Sequence, residues 1–195
     1  MTKDDQTIAV YEKRAQEYAC RTKDRDEPGL DSFIAMLPEH AHVLDLGCGP
    51  GDASVRFLAA SFSVDAIDAT PAMVKAACQR GVTARIARFD QVDAQSTYDG
   101  ICASYSLLHA PRADMPDCLA RLHRAAKPNG RLHIGLKLGT GEIRDSLGRL
   151  YTYYTRDELF GLLKAAGFTP TDHQIDKGTG LDGTTYSGIW VHANA

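Results

Sequence analysis

Short β-type runs alternate with amphipathic helical stretches along nearly the whole chain, and that alternation predicts a parallel sheet covered by helices on both faces. Seven strands are expected: His42 to Leu46, Ser63 to Ile67, Thr83 to Arg88, Tyr98 to Ala103, Arg131 to Leu136, Thr171 to Ile175 and Thr185 to His192. The first leads through a glycine turn into a helix over Asp52 to Ala60. After the second, Thr70 is placed to cap a helix, with Pro71 opening it and Gly81 closing it. A further helix is expected near Asp114 to Lys127, stopped by the turn Pro128-Asn129-Gly130. Thr155 and Glu158 form a capping box for a helix running to Ala166, with Gly167 as its stop.

The last two runs are separated by KGTGLDGT and no helix, so an antiparallel hairpin should end the sheet. Before the first strand, Thr7 to Tyr18 and Asp31 to Leu37 read as helices flanking the charged segment RTKDRDEPG. The expectation is a Rossmann-like, doubly wound three-layer α/β sandwich whose seven-stranded sheet is mostly parallel with an antiparallel last strand. A chain of 195 residues suits one such domain, with about 70% of its surface buried on folding. Within it, residues 1–40 supply N-terminal helices, 41–136 a binding core, and 137–195 a flap, a helix and the terminal hairpin.

The turn in VLDLGCGPGD keeps the backbone bare at Gly47, Gly49 and Gly51, which lets a ligand approach the main chain. Glycine turns of this kind also serve dinucleotides, so the surrounding charge decides between ligands. Asp45 ends the strand and Asp52 opens the helix, where a pyrophosphate would meet two carboxylates. A ligand bearing an ammonium and a sulfonium, and no phosphate, would be attracted by the same acids. Asp68, about twenty residues on at the end of the second strand, is placed to accept both hydroxyls of a ribose. Position 54 is serine, so the Gly-x-Gly-x-x-Gly spacing of an NAD(P)-dependent oxidoreductase is missing.

Four blocks in order, VLDLGCGPG, VDAIDATPAMVKAA, ARFDQVDAQSTYDGICASYSLLH and LARLHRAAKPNGRLHIGL, resemble the class I S-adenosylmethionine-dependent methyltransferases over Val43 to Leu136; LLKAAGF and the hairpin extend the likeness toward the C-terminus. The resemblance implies S-adenosyl-L-methionine as cofactor and S-adenosyl-L-homocysteine as product. It places the methionine end at Asp45 and Gly47, Gly49 and Gly51 beneath the cofactor, and Asp68 on the ribose. Asp90 would meet the adenine amino group, with Phe89 or Val92 against the ring and Asp93 as the competing acid. Cys48, Ala69, Met73 and Ser104 complete the implied set.

Methyl transfer from a sulfonium needs alignment and exclusion of water, and a general base is optional. In open α/β sheets the ligands sit beyond the carboxyl ends of the strands, so acceptor contacts are expected after the fourth and fifth. There Tyr105, Ser106 and His109 occur, His109 being the natural base because imidazole titrates near neutrality. The segment KLGTGEIRDSLGRLYTYYTRDE reads as a lid carrying Arg144, Arg149 and the cluster Tyr151, Tyr153 and Tyr154. Tyr11 and Tyr18 share a helix face; the resemblance implies that this helix closes over the cofactor, and packing in the core is the other reading.

Net charge -3 and a pI near 6.1 disfavour a polyanion partner, and SYSLLH is not the motif of a nucleic-acid methyltransferase. A small-molecule acceptor is therefore expected, with the chain a monomer or homodimer. Five scattered cysteines without C-x-x-C, and histidines with no spacing beyond His40-x-His42, argue against disulfides and metal. The N-terminus is charged from its third residue and no apolar run approaches membrane length, which points to the cytoplasm. A binding protein that holds the cofactor without transferring its methyl group is the alternative from another class.

Overall fold

The computed structural model describes residues 4–23 and 27–195. Part of the charged segment between the first two helices falls outside the described residues. Fifteen named elements follow. They are α1 (Asp5–Thr22), α2 (Leu30–Ala35), β1 (His42–Leu46), α3 (Asp52–Ala59), β2 (Ser63–Asp68), α4 (Pro71–Gln79), β3 (Ala84–Ile86), β4 (Tyr98–Ser104), α5 (Met115–Ala125), β5 (Ala126–Lys137), β6 (Glu142–Arg144), β7 (Leu150–Thr152), α6 (Arg156–Ala165), β8 (Thr169–Thr179) and β9 (Thr185–Asn194).

Seven of the strands form one sheet in the order β3-β2-β1-β4-β5-β9-β8. Pairings from β3 through β5 are parallel, while β9 runs antiparallel to both β5 and β8. The expected doubly wound sheet with a reversed final strand is therefore present, and β9 slots between β5 and β8. The chain leaves β1 toward β2 and β3, then returns to β4 on the other side. That reversal opens a crevice at the carboxyl ends of β1 and β4.

The two-residue period of β1 separates the layers. Leu44 and Leu46 join the core built with α5 and α6, including Leu119, Leu122, Leu159 and Leu163. Val43 faces the opposite core with Leu30, Phe33 and Phe57 of α2 and α3. Asp45 shares that second face, so its carboxylate is directed to α3 rather than to the larger core.

Several local expectations change in detail. Thr70 stands at the N-cap of α4 without a side-chain capping bond. Its amide donates to Asp68 Oδ1 at 2.8 Å, and the amide of Ala72 is received by Glu12 of α1 at 2.9 Å. The helix start is thus secured by the two neighbouring acids. The Thr155–Glu158 box forms as read, with Thr155 N to Glu158 Oε2 at 2.8 Å and Glu158 N to Thr155 Oγ1 at 3.2 Å.

Pro128-Asn129-Gly130 does not precede the fifth strand; it lies within β5 as an irregularity between the pairs Tyr98–Ala126 and Gly100–Arg131, with Asn129 at φ +65°. The segment expected to be a glycine-rich lid contains the small antiparallel ribbon β6–β7. Arg144 pairs with Asp4 at 2.8 Å and the amide of Leu150 donates to Thr7 Oγ1 at 2.8 Å, so this ribbon is fastened to α1. Strands of three residues are too short for alternation to reveal. Among the described residues, no helix is long and apolar enough to cross a membrane, and no group of three or more His, Cys, Asp or Glu is disposed to hold a metal.

Gly100 in β4 lets α2 sit close to the sheet: a Cβ there would lie 2.8 and 2.9 Å from the Leu37 methyls and 3.1 Å from Phe33 Cζ. Gly100→Ala should lower stability by about 1–3 kcal/mol through overpacking. Urea unfolding monitored by circular dichroism checks this as a lowered midpoint with an unchanged slope.

Candidate functional site

Three glycines shape the turn after β1, all in the left-handed region: Gly47 at φ +72°, Gly49 at +53° and Gly51 at +85°. The amides of Gly47 and Cys48 both donate to Ile67 O, at 2.8 and 2.9 Å, which folds the turn back over β2. Asp68 then closes the arrangement, its Oδ2 receiving the amide of Gly49 at 3.0 Å while Oδ1 receives that of Thr70. A Cβ on Gly47 would stand 2.4 Å from Ser106 Cβ, so a bare backbone is obligatory there.

Two adjoining hollows open beside this turn and share Tyr11, Tyr18, Gly47, Gly49, Ser104, Tyr105 and His109. The first also takes in Asp68, Ala69, Met73, Phe89, Asp90 and Ser106. The second takes in Asp45, Cys48, Lys137, Arg149, Tyr151 and Tyr186. Most residues singled out in the sequence are thereby brought together. Gly51 is not: its α-carbon faces Ala77 and Val82, where a Cβ would lie 3.2 and 3.1 Å from their side chains, so it serves the packing of α4.

Three further residues fall outside the crevice. Arg144 is engaged with Asp4 on the surface. Tyr154 is 1% exposed beneath the Arg112 guanidinium, and Tyr153 packs over Gly139. Alternation along the extended chain explains the split, since Tyr151 and Tyr154 point to opposite sides.

The electrostatics are uneven. Asp45 is 3% exposed and receives the Ser54 hydroxyl at 2.5 Å; burial nonetheless raises its pKa from 3.8 to about 7, with help from the charges of Glu27 and Asp68. Burial also raises the pKa of Asp68, against the amides it accepts. Three buried oxygens that line the first hollow make no hydrogen bond: Asp90 Oδ1, Ser104 Oγ and Ser106 Oγ. Asp90 Oδ1 has only the Arg88 Nε at 3.3 Å as an ionic neighbour.

His109, the expected base, is already committed. Its Nδ1 donates to Leu150 O at 2.6 Å, which leaves Nε2 to accept the Tyr11 hydroxyl proton at 2.9 Å. Burial lowers its pKa to about 4, so the ring is neutral at physiological pH. Arg149 Nη1 donates to the Tyr11 oxygen at 3.0 Å, and Arg149 itself, 1% exposed, is neutralised by Asp145 at 2.6 Å. Tyr105 adopts φ +48°, with Gly135 and Gly188 bare against its ring and hydroxyl. Such strain is typical of residues held for a purpose.

Lys137 and Tyr186 were not singled out in the sequence. Lys137 is the last residue of a buried strand and lies at a carboxyl end, where open sheets place ligands; that position was the available signal. Tyr186 reaches the crevice only through the hairpin pairing.

Comparison with known proteins agrees with this geometry. The sequence profile of the methyltransferase domain family matches residues 43–130. YqeM of Bacillus subtilis (strain 168), which carries a provisional methyltransferase name, is 30% identical over 106 residues; the match covers 50% of this chain and 43% of YqeM, so the chain spans less than half of that relative. Among solved structures, the 1,6-didemethyltoxoflavin-N1-methyltransferase of Burkholderia thailandensis, determined with 1,6-didemethyltoxoflavin and S-adenosylhomocysteine, is 26% identical with a TM-score of 0.71 over 100% of this chain and 91% of its own. An S-adenosylmethionine-dependent methyltransferase of Methanosarcina mazei superposes with a TM-score of 0.74 at 17% identity, over 87% of this chain and 97% of its own. Residues 43–130 thus resemble the methyltransferase domain family, and the chain as a whole has the fold of the S-adenosylmethionine-dependent methyltransferases.

Proposed function

We propose that this protein binds S-adenosyl-L-methionine in the crevice and passes its methyl group to a small acceptor. The observation that carries the reading is the bare turn at Gly47 and Gly49, with Asp45 and Asp68 beside it in the two adjoining hollows. Asp45 would meet the amino end of the cofactor, Asp68 the ribose and Asp90 the adenine, with Met73 and Phe89 as apolar contacts. A pyrophosphate ligand would meet these same acids as repulsion, which disfavours NAD(P). When bound, the cofactor supplies a methyl carbon that accepts the acceptor's lone pair as its bond to sulfur breaks, the bonding pair staying on sulfur.

The protein's part is then alignment and exclusion of water. Tyr11 and Tyr18 of α1 form one wall of the crevice, and Tyr105 another. His109, in this reading, is a positioning residue. It holds the Tyr11 hydroxyl and, through Leu150, the β7 end, and it presents no free basic nitrogen. Tyr11 is held as a wall of the crevice, its hydroxyl donating to His109 and accepting from Arg149.

Isothermal titration should show S-adenosylhomocysteine binding and NADH not binding. At a hundredfold excess over Kd, the former should stabilise the protein by about 2.7 kcal/mol in thermal unfolding. Asp68→Asn should weaken this binding at least about tenfold, as expected when a charge-assisted pair of hydrogen bonds is lost. Binding of the donor without turnover over a broad acceptor screen would leave a binding protein in place of an enzyme.

The raised pKa of Asp45 has two opposite consequences. The unfolded state releases this proton near 3.8 and the folded state near 7, so stability from this group falls as pH rises across that window. Asp45→Asn should therefore keep or raise the melting temperature of the ligand-free protein at pH 8 while abolishing the shift caused by S-adenosylhomocysteine. In the wild type, affinity for that cationic amino group should decline by up to about tenfold per pH unit below 7. At saturating cofactor, where the Asp45 effect on affinity drops out, a pH profile of turnover should show no limb near 6.5 from His109, because it stays neutral down to about 4.

A further inference from the structure

The crevice carries both signs of charge: Asp68 and Asp90 line the first hollow, while Lys137, the last residue of β5 and paired in the sheet with Gly188 of β9, lines the second together with Asp45. Lys137 is 5% exposed, and its ammonium takes part in no hydrogen bond or ion pair among the described residues. Its Nζ lies over two aromatic faces, 3.8 Å from the centroid of Tyr151 and 4.3 Å from that of Tyr186.

Such a group is costly to keep. An ammonium largely withdrawn from water gains from a counter-ion or several acceptors, and two ring faces return only part of what hydration gave. The nearby acids, Asp145 and Asp182, act on it only through space and form no ion pair with it. Asp145 is spent on Arg149, and Asp182 turns to the amide and hydroxyl of Thr184, at 3.2 and 2.8 Å, in the hairpin loop. Burial first and then the charge of Arg149 act against the protonated amine, and the more distant Asp182 and Asp145 offset them only in part.

We infer that Lys137 is the specificity-determining residue of the acceptor end and receives a negatively charged group, a carboxylate or comparable oxyanion, of a small acceptor whose carbon skeleton lies among Tyr105, Tyr151 and Tyr186. This rests on the methyl-transfer reading. It names the class of acceptor for that site: an organic acid rather than a neutral alcohol or an amine. The charges give the reason: the acids attract the cationic donor, and the Lys137 ammonium, which forms no ion pair among the described residues, attracts an anionic acceptor.

A carboxylate could also belong to the cofactor, so the test separates the two sources. The wild type and Lys137→Met are first titrated with S-adenosylhomocysteine. Then each protein, saturated with that product, is titrated with benzoate and with benzamide, which match in shape and differ in charge. The expected result is S-adenosylhomocysteine affinity unchanged within about twofold in the variant, and benzoate bound at least about tenfold more tightly than benzamide by the wild type alone. Lys137→Arg should keep the preference for benzoate.

Equal binding of the two compounds, or binding of neither, overturns the inference while leaving methyl transfer intact. A tenfold loss of S-adenosylhomocysteine affinity in Lys137→Met also overturns it, by giving the lysine to the cofactor. Failure of the wild type to bind S-adenosylhomocysteine removes the underlying reading and this one with it. Should Lys137→Met not fold, the benzoate and benzamide comparison on the wild type still decides.

Discussion

The carboxylate of Asp68 holds two segments that would otherwise part. One oxygen receives the amide of Gly49, in the turn after β1, and the other that of Thr70, at the start of α4. The glycine turn has positive φ at three positions and few side chains to pack, so this bridge, with the two amides that reach back to Ile67, defines where the backbone lies. Everything that faces the crevice is placed relative to that backbone. Ser106 approaches Gly47 because no Cβ intervenes, and the Gly49 position looks toward the Tyr18 ring at 3.8 Å.

A second network closes the other side. Tyr11 brings α1 to the crevice by donating to His109 and accepting from Arg149, whose charge is balanced by Asp145. A buried ion pair of this sort contributes little net stability on its own, yet removing one partner is strongly destabilising. Its structural value here is orientation: one guanidinium fixes the β6–β7 connection and the helix that lies over it. The histidine that sequence reading offers as a base becomes, within this network, a link whose nitrogens are both used.

Where sequence reading succeeds, the signal is local. The alternation of element types, the capping box at Thr155 and Glu158, and the glycines after β1 act over a few residues, and the folded chain retains them. Where it fails, neighbours distant in sequence decide. Gly51 shares the motif with Gly47 and Gly49 but is turned to α4. Arg144 and Arg149 lie five positions apart; one meets Asp4 at the surface and the other is sealed beside Tyr11. Tyr151 and Tyr154 belong to the same cluster and point to opposite sides.

The chain by itself determined the layered α/β architecture, the hairpin that reverses the last strand, and the acidic glycine turn suited to a cationic nucleoside ligand. These follow from periodicity, backbone freedom and charge, all of which are written in adjacent residues. Only the tertiary structure decided that His109 is engaged, that Arg149 is balanced by Asp145, and that the Lys137 ammonium lies over two aromatic rings with no ion pair among the described residues. Pairing of a buried charge depends on what another part of the chain delivers within about 4 Å, and no local pattern encodes that distance.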